Sequence, residues 1–246
     1  MKVIPLSEGS FTIDKSKLFV PFETGKDDLQ ARATGSLLVE VQPFVVITSE
    51  DVLLLDTGLG FERNGVLQLH QNLMDVGINP SEITKVLMTH LHKDHAGGIG
   101  RRNALTNQFE LSFPQATYYI QRQELEFAFE KGLPSYIPEE LECIKKAPNV
   151  ILLHGDGVID GYIKHEITGA HSPFHQVYWI VDGGETIFFG GDDAPQLGQM
   201  KKRYSAKYDY DGKKAMELRQ VWWEKGEKEG WRFLFYHDVK TPEFKF

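Results

Sequence analysis

The stretch "MTHLHKDHAGG", from Met88 to Gly98, places His90, His92, Asp94 and His95 within six positions. Imidazole nitrogens and carboxylate oxygens are the usual protein ligands for zinc and related divalent ions. A polar turn with satisfied histidines is the plain alternative, and the rest of the chain decides between the two. His90 and His92 can share one face of an extended segment, while Asp94 and His95, across a turn, face a second position. That spacing suits two adjacent ions better than one.

Further groups of the same kind recur at the ends of apolar runs. Asp56 closes "VLLLDTG", His90 closes "KVLMTH", Asp192 follows "TIFFGG" and His237 follows "WRFLFY". His171 lies in "ITGAHSPFHQ", between two strand candidates. Five histidine or aspartate residues at one kind of location imply that strands deliver them to one end of a sheet, where α/β proteins place functional groups.

The elements needed for that delivery are readable. "SLLVEV", "FVVIT", "DVLLLD", "KVLMTH" and "ATYYIQ" are strand-like. "GVLQLHQNLMDVG" spaces Val66, Leu69, Leu73 and Val76 along one helical face and stops at Gly77. "QELEFAFEKG", "PEELECIKKA" and "DGKKAMELRQVWWEKGEKEG" are helical, and "VYWIVDGGETIFFGGDD" is a hairpin turning at Asp182–Gly184. Residues 103–148 supply helices that either cap the site or cover the sheet. Strands in runs with helices between them imply a layered α/β sandwich, and residues 1–246 read as a single domain.

Composition narrows the chemistry. With 35 acidic residues against 27 Lys and Arg, the net charge is −8, which disfavours a nucleic-acid surface. Lys201, Lys202 and Arg203 form a short basic run that reads as a solvated loop. Cys143, the one cysteine, excludes an intrachain disulfide and reads as a structural thiol. The N-terminus lacks the apolar run of a signal peptide and no stretch reaches membrane-spanning length, so the chain reads as cytoplasmic with a small-molecule substrate. No serine sits in a nucleophile-elbow motif.

From "LLLDTG" through "HLHKDHAGG", "GAHSPFHQ" and "FFGGDD" to "FYHD", the chain resembles the metallo-β-lactamase superfamily of metal-dependent hydrolases, with the motifs in the family's order over nearly the whole length. The resemblance implies a four-layer αβ/βα sandwich with two divalent ions at one edge. It implies that His90, His92 and His171 hold the first ion, that Asp94, His95 and His237 hold the second, and that Asp192 bridges them. Asp56 then orients a ligand histidine. Asp193 competes for the bridging role by one position, and Asp192 is preferred because it follows "FFGG". His171 is preferred to His175, which becomes a supporting or surface group.

Zinc is the expected metal, with manganese, iron and cobalt as alternatives. The expected reaction is attack on an ester, lactone or similar small substrate by hydroxide held between the ions, with Asp94 carrying the proton to the leaving group. Phosphodiester cleavage and iron-dependent non-hydrolytic chemistry are the alternatives on the same fold; β-lactam hydrolysis is disfavoured by Asp192, where similar zinc lactamases carry cysteine. The acyl-homoserine lactonases and their organophosphate-hydrolysing relatives are the most similar branch, but their tyrosine three residues after the bridging aspartate is here Pro195. Phe174 is a candidate pocket wall, and Trp222 and Trp223 are packing groups. His70, His154 and His165 fall outside the pattern.

Overall fold

A computed structural model describes all 246 residues. Two six-stranded sheets stack face to face. The first runs in space Lys2–Pro5, Phe44–Ile47, Val52–Leu55, Lys85–Leu87, Thr117–Gln121, Val150–Leu153. Its last four strands are parallel, and they therefore end on the same edge. The second runs Gly157–Ile159, Ile163–Ile167, Gln176–Asp182, Glu185–Phe189, Arg232–Leu234, Glu243–Lys245. It is antiparallel except where Glu185–Phe189 meets Arg232–Leu234, a crossover carried by the helix Gly212–Glu229.

The period-two alternation of apolar side chains explains the layers. On the first sheet, Phe44, Val46, Leu53, Leu55 and Leu87 face Tyr178, Ile180, Ile187 and Phe189 of the second, forming the middle core. Their neighbours Val45, Leu54 and Val86 face the other way, onto Leu69, Leu73, Leu125 and Leu141 of the outer helices. On the far side, Phe188 and Phe233 pack against Trp222 of the long helix. The result is the four-layer αβ/βα sandwich. No helix is long and apolar enough to cross a membrane.

Several local expectations shift. The helix after the third strand covers only Gln68–Asp75; Val66 lies in a two-residue strand before it, and Val66 and Val76 are exposed. Leu69 and Leu73 are buried as expected, and Leu67 joins them in place of the two valines. In "WRFLFYHD" the strand stops at Leu234, where its partner Phe189 ends, and Glu243–Lys245 adds an edge strand. The N-terminal Gly9–Ile13 pairs with Leu37–Val41 and Val20–Pro21 in a separate small sheet.

That N-terminal segment also contributes Glu8, whose buried carboxylate accepts from the Leu59 amide at 2.6 Å. Burial pushes its carboxyl up to about 7 from an ordinary 4.5, against the lowering effect of that amide. The folded protein thus holds an extra proton between these values, and stability falls as pH rises from 4.5 through 7. Glu8→Gln is expected to flatten this decline by about 3 kcal/mol. Denaturant unfolding at pH 5 and pH 8 measures it; parallel losses in both proteins would refute the assignment.

Candidate metal centre

The strand ends converge on one edge. Asp56 follows Val52–Leu55, and Thr89 and His90 follow Lys85–Leu87. His92 begins the single-turn helix Lys93–Ala96, which carries Asp94 and His95. From the second sheet come His171, on the loop before Gln176, Asp192, on the turn Gly191–Asp193, and His237, three residues beyond Arg232–Leu234. Gly97 and Gly98 are required by close approach: a Cβ on either would overlap the carbonyl oxygen of Leu59 or Thr57. They let the histidine loop lie against the Asp56 turn.

The side chains form two groups. His90 Nε2 and His171 Nε2 lie 3.0 and 3.1 Å from His92 Nδ1, and these three nitrogens and an Asp192 oxygen all fall within 4.8 Å of one another. Asp94, His95 and His237 form the second group with the same spread. Asp192 faces both: its Oδ2 is 3.1 Å from His171 Nε2, while its Oδ1 is 3.1 Å from His95 Nε2 and 3.0 Å from His237 Nε2.

Remote partners fix the ring orientations. Asp56 Oδ2 accepts from the Thr89 hydroxyl at 2.7 Å and from His95 Nδ1 at 2.8 Å, while its Oδ1 accepts from the Thr89 amide at 2.7 Å. The Thr89 hydroxyl, already donating to Asp56, accepts from His90 Nδ1 at 3.0 Å. Asp209 Oδ1 accepts from His171 Nδ1 at 2.9 Å, and the Glu40 carbonyl from His237 Nδ1 at 2.6 Å. Each bond places the proton on Nδ1 and leaves an Nε2 lone pair facing inward, the arrangement of metal-ligating histidines.

This donor set fits two divalent cations. Inward lone pairs about 3 Å apart repel unless a cation lies between them. His95 Nε2 and Asp192 Oδ1 are buried, close and yet not aligned to hydrogen-bond each other; both lack a partner. Electrostatics express the same demand for positive charge: Asp192 raises His95, His171 and His237 toward their protonated forms against burial, and an ion would displace those protons. Burial drives His90 and His92 toward neutrality, reinforced by the other imidazoles. Burial opposes the charged form of His237 too, but Asp192 overcomes it and raises the ring to about 10. Asp94 would be raised by burial, yet His95 and His237 hold it near 2. Two buried carboxylates thus keep their charge in a pocket that calls for positive charge.

Other positions resolve differently from the sequence reading. Asp193 faces away from the second group: its Oδ1 accepts from the His171 amide at 2.7 Å and its Oδ2 lies 3.0 Å from His175 Nδ1. His175 is fully buried, which removes the surface alternative. Phe174 does not line the cavity over the site and packs on Phe127 instead. Trp222 packs on Phe188 and Trp223 on Phe244. His165 is buried beside Gln121, His154 accepts from Arg122, and His70 packs on Phe113. Burial pushes the Cys143 thiol up to about 11, as suits an inert thiol.

The sequence reading missed five residues around the site besides Thr89 and the Glu40 carbonyl. Asp209 has no local motif, and its pairing with His171 spans 38 positions. Glu124 is buried and accepts from the Leu91 amide, the Ser172 hydroxyl and the Tyr136 hydroxyl, tying the two histidine loops together. Residues 103–148 thereby brace the site as well as cover the sheet. Tyr136 packs on His92, and Tyr236 stacks on His95 at 4.0 Å. Tyr208 lines the cavity beside His171, with its hydroxyl accepting from Gln199 at 3.1 Å and its proton unclaimed by the protein.

Residues 39–220 match the family model described as the metallo-beta-lactamase superfamily. The N-acyl homoserine lactonase AttM of Agrobacterium fabrum is 30% identical over 128 residues, covering 47% of this chain and 44% of that protein. The N-acyl homoserine lactonase AiiA of Bacillus thuringiensis subsp. kurstaki is 31% identical over 108 residues, covering 44% and 37%. The matched stretches span less than half the length of these relatives. A probable metal-dependent hydrolase from Staphylococcus aureus superposes with a TM-score of 0.79 at 20% identity, over 99% of this chain and 91% of that one. AidC, a dizinc quorum-quenching lactonase, gives 0.72 at 19% identity over 98% and 88%. At these identities the structural likeness is one of fold.

Proposed function

The chain belongs to the metallo-β-lactamase superfamily, and from that membership we propose that it is a dinuclear metal-dependent hydrolase of an ester, a lactone or a similar small substrate. The observation that carries this reading is Asp192, with one carboxylate oxygen toward His171 and the other toward His95 and His237. In this reading His90, His92 and His171 hold one ion, Asp94, His95 and His237 the other, and Asp192 both. The nitrogen and oxygen donors, without cysteine, support zinc, as does the dizinc description of AidC. The middle core shared by the two sheets supports treating residues 1–246 as one domain.

When bound, the ions supply Lewis acidity toward a carbonyl oxygen and lower the pKa of water at the site. The protein's own residues do the rest. Asp56, Thr89, Asp209 and the Glu40 carbonyl hold four imidazoles in one tautomer and orientation. Asp94 Oδ2 lies 3.4 Å from His237 Nε2 at the cavity floor, where it can receive the nucleophile's proton and pass it to the departing oxygen. Tyr208 offers the hydroxyl that Pro195 does not, and its free proton can hold a substrate oxygen.

The test is acid release from an acyl-homoserine lactone and from an aryl ester by protein shown to carry two ions per chain. Ring opening or ester cleavage that disappears on chelation is expected. Fully loaded protein that cleaves neither would overturn the reading.

A further inference from the structure

The cavity over the site has a volume of about 760 Å³, and six cationic side chains line it: Lys15, Lys17, Lys93, Lys202, Arg203 and Lys207. This concentration occurs in a chain whose acids outnumber its Lys and Arg 35 to 27. None of the six forms a salt bridge, although other cations such as Lys85, Arg102 and Arg232 do. The acids lining the same cavity are Asp14, Asp94 and Asp192. Asp14 is engaged by the amide and hydroxyl of Ser16, and the other two belong to the proposed metal ligands. The cations come from three separate segments, so the folded chain assembles them around one opening. Ile13, Leu37, Leu38 and Val39 add an apolar stretch to the wall.

Unpaired like charges around a concave site carry a repulsive cost that an anionic ligand relieves, and they raise its local concentration. Resting on the hydrolase reading above, we propose that the substrate is a small ester or lactone carrying a second, anionic group, a carboxylate or phosphate, on a short apolar spacer. The anion sits among Lys202, Arg203 and their neighbours while the scissile carbonyl lies at the cavity floor beside Asp94 and Asp192. The basic run Lys201–Arg203 is therefore divided. Lys202 and Arg203 face the cavity, whereas Lys201 lies over the rings of Trp223 and Phe244 outside it.

Two readouts separate this inference from the hydrolase reading. The first is calorimetric binding of glutarate and of pentanoate to metal-free protein. Glutarate is expected to bind more tightly and in a salt-dependent manner. Its affinity should fall by roughly tenfold in the Lys202→Glu, Arg203→Glu double variant and by less than about twofold in Lys201→Glu. Emptied imidazoles can also attract an anion, so the variants decide. Equal affinities for the two acids, or no effect of the double variant, would overturn the inference, as would tighter binding of a single-stranded oligonucleotide through the same side chains.

The second readout is the ratio of kcat/KM for mono-4-nitrophenyl glutarate to that for 4-nitrophenyl pentanoate in metal-loaded protein. The ratio is expected to exceed about ten and to collapse in the double variant. Protein that binds glutarate through these residues but cleaves neither ester would overturn the hydrolase reading alone. Protein that cleaves both esters equally and prefers neither acid would overturn the anion subsite alone.

Discussion

Asp192→Ala is expected to leave a folded protein that retains at most one ion per chain and loses roughly a thousandfold or more in kcat/KM for ester or lactone cleavage. The size follows from the position of the side chain. Its two oxygens lie about 3 Å from three imidazoles drawn from both groups, so on the proposed assignment its removal would take a ligand atom from each ion and the one anion between them. The carboxylate makes no backbone hydrogen bond of its own, which limits the cost to folding. Metal content by elemental analysis, alongside a thermal melt, checks this; two ions retained in the variant would exclude the bridging role.

The second large effect is expected at Asp56. Its carboxylate accepts from three buried donors, the Thr89 amide and hydroxyl and His95 Nδ1, and its backbone has φ 54°. Asp56→Ala strands those donors and places an alanine in a left-handed conformation that aspartate and asparagine tolerate better. The loss of stability is expected to be about 3–5 kcal/mol. Asp56→Asn keeps the shape and the backbone but cannot accept all three bonds. It is expected to fold with a smaller penalty and to bind the ions roughly 10–100-fold more weakly. Urea unfolding of both variants, with metal titration of the second, separates the effects. An alanine variant as stable as the parent would remove Asp56 from its organising position.

These two residues also show what a sequence can disclose. The clusters at Asp56, His90–His95, His171, Asp192 and His237 are legible because parallel and crossover strands must end somewhere, and a charged or ionisable group directly after an apolar run is visible in one dimension. The alternating pattern that buries Val45 outward and Phe44 inward is legible for the same reason. Asp209, Glu124 and Glu8 are not. Each acts on a partner tens of positions away, and nothing beside it in the chain differs from an ordinary surface acid. The cavity cations are scattered from Lys15 to Lys207, so their common destination exists only after folding. The stop of the helix at Gly77, which takes φ 80°, is local and legible, whereas the end of the strand at Leu234 depended on its partner Phe189.

The bond from His237 to the Glu40 carbonyl joins positions 197 residues apart, and the proposed ligands come from both sheets. Ions held there would stitch the two halves of the sandwich together at one edge. An unfolded chain offers no such arrangement, so binding energy at the centre would be folding energy. For each ion that binds only the native state, stability rises by about 1.4 kcal/mol with every tenfold increase in free metal above the dissociation constant. The lifetime of the folded protein would then report the metal status of its surroundings, with scarcity felt as fragility before it is felt as lost turnover.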